Sequence, residues 1–303
     1  MLAVKIEGWH TELLRDQGSA DLKIRHVTAA VLALGVVLLA WAFWLEPASL
    51  FNEDHELFIP NWPPSCDAMR VAVLADLHIG SPFNQLGKLD RIIASAHAAK
   101  PDIILLAGDY VIHGVPGGNF TPPEDIAKRL AALSAPLGVY AVLGNHDWWL
   151  GAKRVRRSFE AVGISVLEDA SIPIRSGKCR FWLTGISDYW EGKHDAAQAL
   201  RTVPADAAVL AFTHNPDVFP ELPSRVTLTI AGHTHGGQVY IPFIGRPVVP
   251  SKFGERYAIG HVVEGERHLF VSPGLGTSIF PVRFLVPPEI SLVIIRSKPP
   301  AKK

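Results

Sequence analysis

Apolar and polar positions divide the chain into two unequal parts. Residues 27–45 read VTAAVLALGVVLLAWAFWL, a run without charge in which Thr28 is the one polar side chain. As a helix rising about 1.5 Å per residue the run spans about 28 Å, the hydrocarbon thickness of a bilayer. It has no polar face to show to water, and Trp41 and Trp44 stand near its end, where amphipathic rings favour a membrane interface. The pattern predicts a transmembrane helix at 27–45 after an N-terminal tail at 1–26. A cleaved signal peptide fits poorly, because the run is too long and begins too far into the chain. Prolines 47, 60, 63 and 64 then mark an extended linker over 46–69.

From 70 to 297 the pattern is that of an α/β domain, and 298–303 is a C-terminal tail. RVAVLA at 70–75, a helical stretch over 85–99 and DIILLA at 102–107 form a strand, helix, strand unit, which predicts a parallel pair with a crossover helix. A second helical stretch over 122–133 leads to the strand GVYAVL at 138–143. Apolar runs at 164–167, 179–185, 207–212, 226–230, 256–262, 267–271 and 290–295 read as further strands. The shift from alternating helix and strand to mostly strand predicts two packed sheets with helices outside.

Charge adds an orientation and an exclusion. The 29 Lys and Arg balance 29 Asp and Glu, which argues against a nucleic-acid binder held by bulk electrostatics. Arg15, Lys23 and Arg25 lie in the twenty residues before the apolar run, and the twenty after it carry no Lys or Arg. The positive-inside rule then places the N-terminus in the cytoplasm and the following domain outside it, as a single-pass protein of the cell (inner) membrane. Cys66 and Cys179 are too few for a disulfide scaffold and form no CxxC pattern; whether they pair is left open.

The candidate chemistry stands where the apolar runs end. Asp76-Leu77-His78, Gly108-Asp109, Gly144-Asn145-His146-Asp147, His214-Asn215 and Gly232-His233-Thr234-His235 each follow a predicted strand. In open α/β sheets, ligands bind beyond the carboxyl ends of strands, so these distant segments can converge there. The spacing of Asp76 from His78, and of His233 from His235, directs each pair to one side of an extended segment. Two carboxylates, an amide oxygen and several imidazoles suit a pair of divalent ions of the Mn, Fe, Zn, Co or Ni kind, Mn favoured, better than Ca or Mg. Two dications against Asp76 and Asp109 leave a net positive centre, able to attract and polarise a phosphate and to generate hydroxide at neutral pH.

These five motifs, in this order over about 70–296, resemble the calcineurin-like metallophosphoesterase signature. The resemblance implies a β-sandwich of two mixed sheets flanked by helices. It implies that Asp76, His78, Asp109 and His235 hold one metal, that Asp109, Asn145, His214 and His233 hold the other, and that Asp109 bridges. His146 would contact the scissile phosphate and protonate the leaving oxygen. One departure is that Ile112 stands where many members carry an Asp that orients the catalytic His, which leaves Asp147 or a backbone carbonyl to orient His146. Ser272-Pro273-Gly274-Leu275-Gly276, Pro281, Arg283-Phe284 and Pro288-Glu289-Ile290 resemble a membrane-anchored branch that includes phosphodiesterases and UDP-2,3-diacylglucosamine hydrolases of lipid A synthesis. That second resemblance implies a lipid-linked phosphodiester or pyrophosphate as substrate and the bilayer as partner. Tethered enzymes acting on soluble phosphodiesters or phosphoproteins, and a metal-stabilised binding module, are the alternatives.

Three further groups stand beside these motifs. Lys153, Arg154 and Arg157 would share one helix face, either solvated or, for Arg154 and Arg157, contacting a substrate phosphate. Phe280, Phe284 and Leu285 read as core, with an acyl-chain groove as the alternative. His97, His113, His194, His261 and His268 belong to no motif.

Overall fold

A computed structural model describes residues 3–297, with side chains from 22 onward. The side chain of Arg15 and the tail at 298–303 lie outside the described residues. The first helix, α1 (Ala3–Ala40), runs through a π-helical turn (Trp41–Leu45) into the short α2 (Glu46–Ala48). It therefore begins well before the predicted start at 27; no proline precedes Pro47, so nothing in 3–26 breaks the backbone ladder. Leu22–Ala48 is long and apolar enough to cross a membrane. Its large side chains, Val31, Leu34, Val37 and Trp44 among them, are exposed rather than packed on the domain.

Two six-stranded sheets follow. The first has the order β1-β12-β2-β3-β4-β5 and the second β10-β11-β9-β8-β7-β6. In the first, β2 (Met69–Leu74), β3 (Ile103–Ala107), β4 (Val139–Val142) and β5 (Ser165–Val166) are parallel, and β12 (Glu289–Arg296) runs antiparallel to β2. In the second, β7 (Cys179–Gly185), β8 (Val209–Phe212), β9 (Leu228–Ala231) and β11 (Arg267–Val271) are parallel, and β6 (Ala170–Ser176) and β10 (Gly260–Glu264) are antiparallel edges.

The period of two along β2 builds both cores. Val71, Val73 and Ala75 meet Leu183, Leu210, Phe212 and Ile230 between the sheets. Ala72 and Leu74 face the helices α3 (Leu86–Ala98), α4 (Pro123–Leu130) and α5 (Asn145–Glu160), where Ile92, Ile126, Val155 and Phe159 cover them. A strand buried on both faces must be apolar at every position, which is why these runs are legible.

Two strands differ from expectation. The predicted linker contains β1 (Phe51–Phe58), paired in parallel with β12. Its sequence FNEDHELF buries Leu57 and leaves most other positions exposed, as an edge strand with one neighbour can. β6 carries Pro173, which an edge strand tolerates because one side of its ladder is free. The run at 256–262 divides into a 3-10 turn (Gly254–Tyr257) and β10. Cys66 and Cys179 form a disulfide that ties the turn before β2 to the first residue of β7.

Candidate metal centre

Every motif named from the sequence lies at the carboxyl edge of a strand. Asp76 and His78 follow β2, Asp109 follows β3, Asn145 and His146 open α5 after β4, His214 follows β8, and His233 and His235 follow β9. The loops after β2 and β3 are joined by backbone hydrogen bonds, Asp76 N–H to Gly108 O at 3.0 Å and His78 N–H to Asp109 O at 2.9 Å. All these side chains are buried. They gather into three overlapping groups: Asp76, His78 and His235; Asp109, His214 and His233; and His78, Asp109 and His146.

Asp109 stands between the first two. Its Oδ2 lies 3.5 Å from His78 Nε2 and 3.3 Å from His214 Nε2. His235 Nε2 lies 3.1 Å from His78 Nε2 and 3.5 Å from Asp76 Oδ1. His214 Nε2 lies 3.1 Å from His233 Nδ1 and 3.2 Å from Asn145 Oδ1. Separations near 3 Å are those of neighbouring ligands that each reach one ion at about 2.1 Å.

The donors also fit divalent ions in their protonation. Burial depresses His78 to about 3 and pushes His233 and His235 well below the usual imidazole range. Neutral imidazoles are the form that ligates a metal. His214 runs the other way: burial opposes its charge, but the Asp109 and Asp76 carboxylates raise it to about 10. Removing that proton is the electrostatic work a dication would do. His78 Nδ1 and His214 Nδ1 face the carbonyls of Val111 and Ala107 at 3.2 and 2.8 Å, which aims each Nε2 at the centre.

The backbone is bent to bring these groups together. Asp76, His78, Asp109, His233 and His235 have φ of 53°, 39°, 55°, 70° and 53°, the left-handed region that side chains other than glycine rarely enter. Such conformations cost about 1–3 kcal/mol each and persist where neighbours over-determine them. Asp147 is one such neighbour: its two oxygens accept N–H bonds from Asp109, Gly144, Tyr110 and Val111 at 2.9 to 3.3 Å. Gly144 is another, since a Cβ there would lie 2.2 Å from Asp109 Oδ1. On the far side, Gly274 at φ +70° packs on Asp76, where a Cβ would come within 2.7 Å. Buried Arg283 holds that loop by donating to the carbonyls of Pro273, Gly274, Gly276 and Val286.

His146 is oriented otherwise than expected. Asp147 is spent on the Asp109 loop, and among the described residues no hydrogen-bond partner meets His146 Nδ1. The ring is held by packing, 4.7 Å from Trp149 and 4.6 Å from His78 between centroids, while the backbone N–H of His146 donates to Asp109 Oδ1 at 2.9 Å. Burial lowers its pKa. Its Nε2 lies 3.9 Å from Asp109 Oδ2.

A cavity of about 590 Å³ opens onto Asp109, Asn145, His146, His233 and His235. Arg154 and Arg157 do not reach it. They line a separate groove with Glu124, whose carboxylate binds Arg154 through two hydrogen bonds of 2.8 and 2.9 Å. A pairing across two helices, unreadable from spacing within one, takes Arg154 out of reach. Conversely, His113, Trp149 and Trp190 do line the cavity. Trp149 could have been found, three residues after His146 on the same helix; Trp190 sits on a loop with no pattern around it. Phe280 and Leu285 are exposed, not core, and Phe284 is half-buried.

The comparisons agree with this geometry. Residues 69–237 match the family model described as calcineurin-like phosphoesterase. The chain is 34% identical over 254 residues to phosphodiesterase YaeI of Escherichia coli (strain K12), covering 82% of this chain and 88% of that protein. It is 27% identical over 261 residues to the uncharacterised metallophosphoesterase YkuE of Bacillus subtilis (strain 168), covering 85% and 89%. It is 24% identical over 318 residues to UDP-2,3-diacylglucosamine pyrophosphatase LpxG of Chlamydia trachomatis, covering 87% and 94%. With five ordered motifs folded onto one strand edge and a family match across more than half its length, the chain belongs to the calcineurin-like phosphoesterase family.

Proposed function

We propose that the chain is a membrane-anchored, dinuclear metal-dependent hydrolase that cleaves a phosphodiester or pyrophosphate on a lipid-linked substrate, with its catalytic domain outside the cytoplasm. The observation that carries the hydrolase reading is the position of Asp109, whose Oδ2 lies 3.5 Å from His78 Nε2 and 3.3 Å from His214 Nε2 where it lines the cavity. Asp76, His78, Asp109 and His235 would hold one divalent ion, and Asp109, Asn145, His214 and His233 the other. Such ions supply the charge that polarises a phosphoryl group and activates water at neutral pH. His146 stands at the cavity wall beside Asp109, where its imidazole can contact a non-bridging oxygen and give a proton to the leaving oxygen. Trp149 and Trp190 flank the centre and keep bulk water from it; their rings lie 4.7 Å from His146 and 4.4 Å from His233.

Two observations support the setting. The apolar helix meets the domain at Arg283, next to Val282 of the cavity lining, so an ester carried in the bilayer would be presented at high effective concentration. The Cys66–Cys179 disulfide supports the outward placement, because such bonds persist in oxidising compartments. It weighs against a UDP-linked lipid made in the cytoplasm and towards another lipid-linked ester. The relatives named phosphodiesterase and pyrophosphatase support hydrolysis of a bond between two substituted phosphates or between phosphate and alcohol.

The test is turnover by the full-length protein, purified with Mn, of bis-p-nitrophenyl phosphate, a phosphopeptide and UDP-diacylglucosamine. Hydrolysis of the diester without the phosphopeptide is expected; turnover of none of the three sinks the hydrolase reading. A reporter fused after Lys303 reads the side of the membrane, and activity confined to the cytoplasm reverses the placement.

A further inference from the structure

Outside the helix, seven of the exposed large hydrophobic side chains lie in two segments. Tyr240, Phe243, Ile244 and Val248 belong to one, and Ile279, Phe280 and Leu285 to the other. The segments are joined: Tyr240 N–H donates to Phe284 O and Phe284 N–H to Gln238 O, each at 2.9 Å. The second is fastened to the end of the apolar helix. Arg283 N–H donates to Ala42 O at 2.9 Å, and the Glu46 carboxylate accepts from Leu285 N–H at 2.9 Å and Val286 N–H at 2.6 Å.

The first segment projects as a closed tip. Ile241 N–H and Gly245 O, and Gly245 N–H and Ile241 O, pair at 2.9 Å, so that Pro242, Phe243 and Ile244 form the turn. Phe243 sits at φ 69° with its ring fully exposed. A bulky side chain in left-handed backbone is an outlier that calls for a cause, and an aqueous surface supplies none. Exposed apolar patches of this kind mark interaction surfaces.

We infer that these two segments form a rim that dips into the lipid surface beside the anchor, seating the cavity mouth on the bilayer. The occupant follows from continuity. The helix that would cross the membrane meets the domain through Ala42 and Glu46, near its end at Ala48, and the hydrogen bonds there hold the Arg283–Val286 strip against that end. Val248, Ile279 and Phe280 belong to the rim and also line the cavity, so an acyl chain leaving the bilayer meets apolar side chains from the interface to the site. Phe243 and Ile244 do not line it and serve contact with lipid alone. The inference rests on reading Leu22–Ala48 as a membrane span and is independent of which ester is cleaved.

Nitroxide labels on the full chain test it. Phe243→Cys, Leu34→Cys and Val263→Cys, the last on the exposed edge strand β10, are reconstituted separately in vesicles of phosphatidylcholine and phosphatidylglycerol. The native cysteines are bonded to each other and take no label, and thermal melting checks that each variant is folded. We expect the label at 243 to match the one at 34, accessible to oxygen and shielded from an aqueous nickel chelate, and the label at 263 to show the reverse. Lipid exposure at 34 with nickel access at 243 equal to that at 263 overturns the rim. Nickel access at 34 overturns the membrane span on which the rim rests.

Discussion

The two ends of the sandwich are closed by opposite means. At the amino ends of the strands, Cys66 and Cys179 link the first sheet to the second through a covalent bond amid Trp62, Met69 and Phe181. At the carboxyl ends, the sheets face each other through candidate ligands: Asp76, His78, Asp109 and Asn145 from the first, with His146 beside them, and His214, His233 and His235 from the second. The first sheet supplies both carboxylates, and the second supplies imidazoles alone. Each of the groups Asp76, His78, His235 and Asp109, His214, His233 spans the gap. One end is apolar and closed by a covalent bond, while the other gathers left-handed backbone and buried polar atoms held by hydrogen bonds to Asp147 and Arg283.

The largest test of this contrast is Asp109→Asn, which removes the group shared by both ligand sets. Activity on bis-p-nitrophenyl phosphate should fall by more than the factor of ~10²–10⁴ expected for His146→Ala, a loss of one proton donor. Metal content read by atomic absorption should fall for Asp109→Asn and stay for His146→Ala. Equal metal content in both would mean that the bridge has been misplaced.

At the other end, Cys66→Ala with Cys179→Ala should cost about 2–5 kcal/mol of stability, read as a lower denaturation midpoint, with activity at room temperature kept. Loss of metal from that double variant would show that the ends are not independent. Metal at a hundredfold above its dissociation constant should stabilise the folded protein by about 2.7 kcal/mol, and calorimetry should find this gain absent from Asp109→Asn.

A pH-dependent effect concerns Lys88, buried near the site end with its Nζ on Pro47 O at 2.9 Å. Burial, and then the charge of Arg283, lowers its pKa from 10.5 to about 7. Between these values the unfolded chain binds the proton and the folded chain does not, so stability rises with pH from 7 towards 10.5 by at most about 1.4 kcal/mol per pH unit. Lys88→Met should flatten that rise in denaturant titrations across the window.

Legibility followed burial and locality. β2 and β3 are buried on both faces, so RVAVLA and IILLA announce themselves, and the polar residues after them are conspicuous against the apolar runs. Asp76 and His78 could be paired by spacing, yet the Gly274 loop that packs on Asp76 comes from 198 positions after it, and the Asp147 clamp on the neighbouring Asp109 loop from 38 positions after Asp109. β1 was hidden because an edge strand needs only Leu57 buried, and its identity is conferred by β12 from the other end of the chain. Arg154 looked available because a sequence does not display Glu124 across the groove. Trp190 reaches His233 from a loop, where no period signals direction.

The disulfide has one more consequence, which concerns order. It closes a covalent ring across a separation of 113 residues. Every candidate ligand from the first sheet, with His146, lies on that ring, and His214, His233 and His235 all lie after it. A chain delivered amino-end first can thus fasten the carboxylate half of the site before any of the three later imidazoles has emerged.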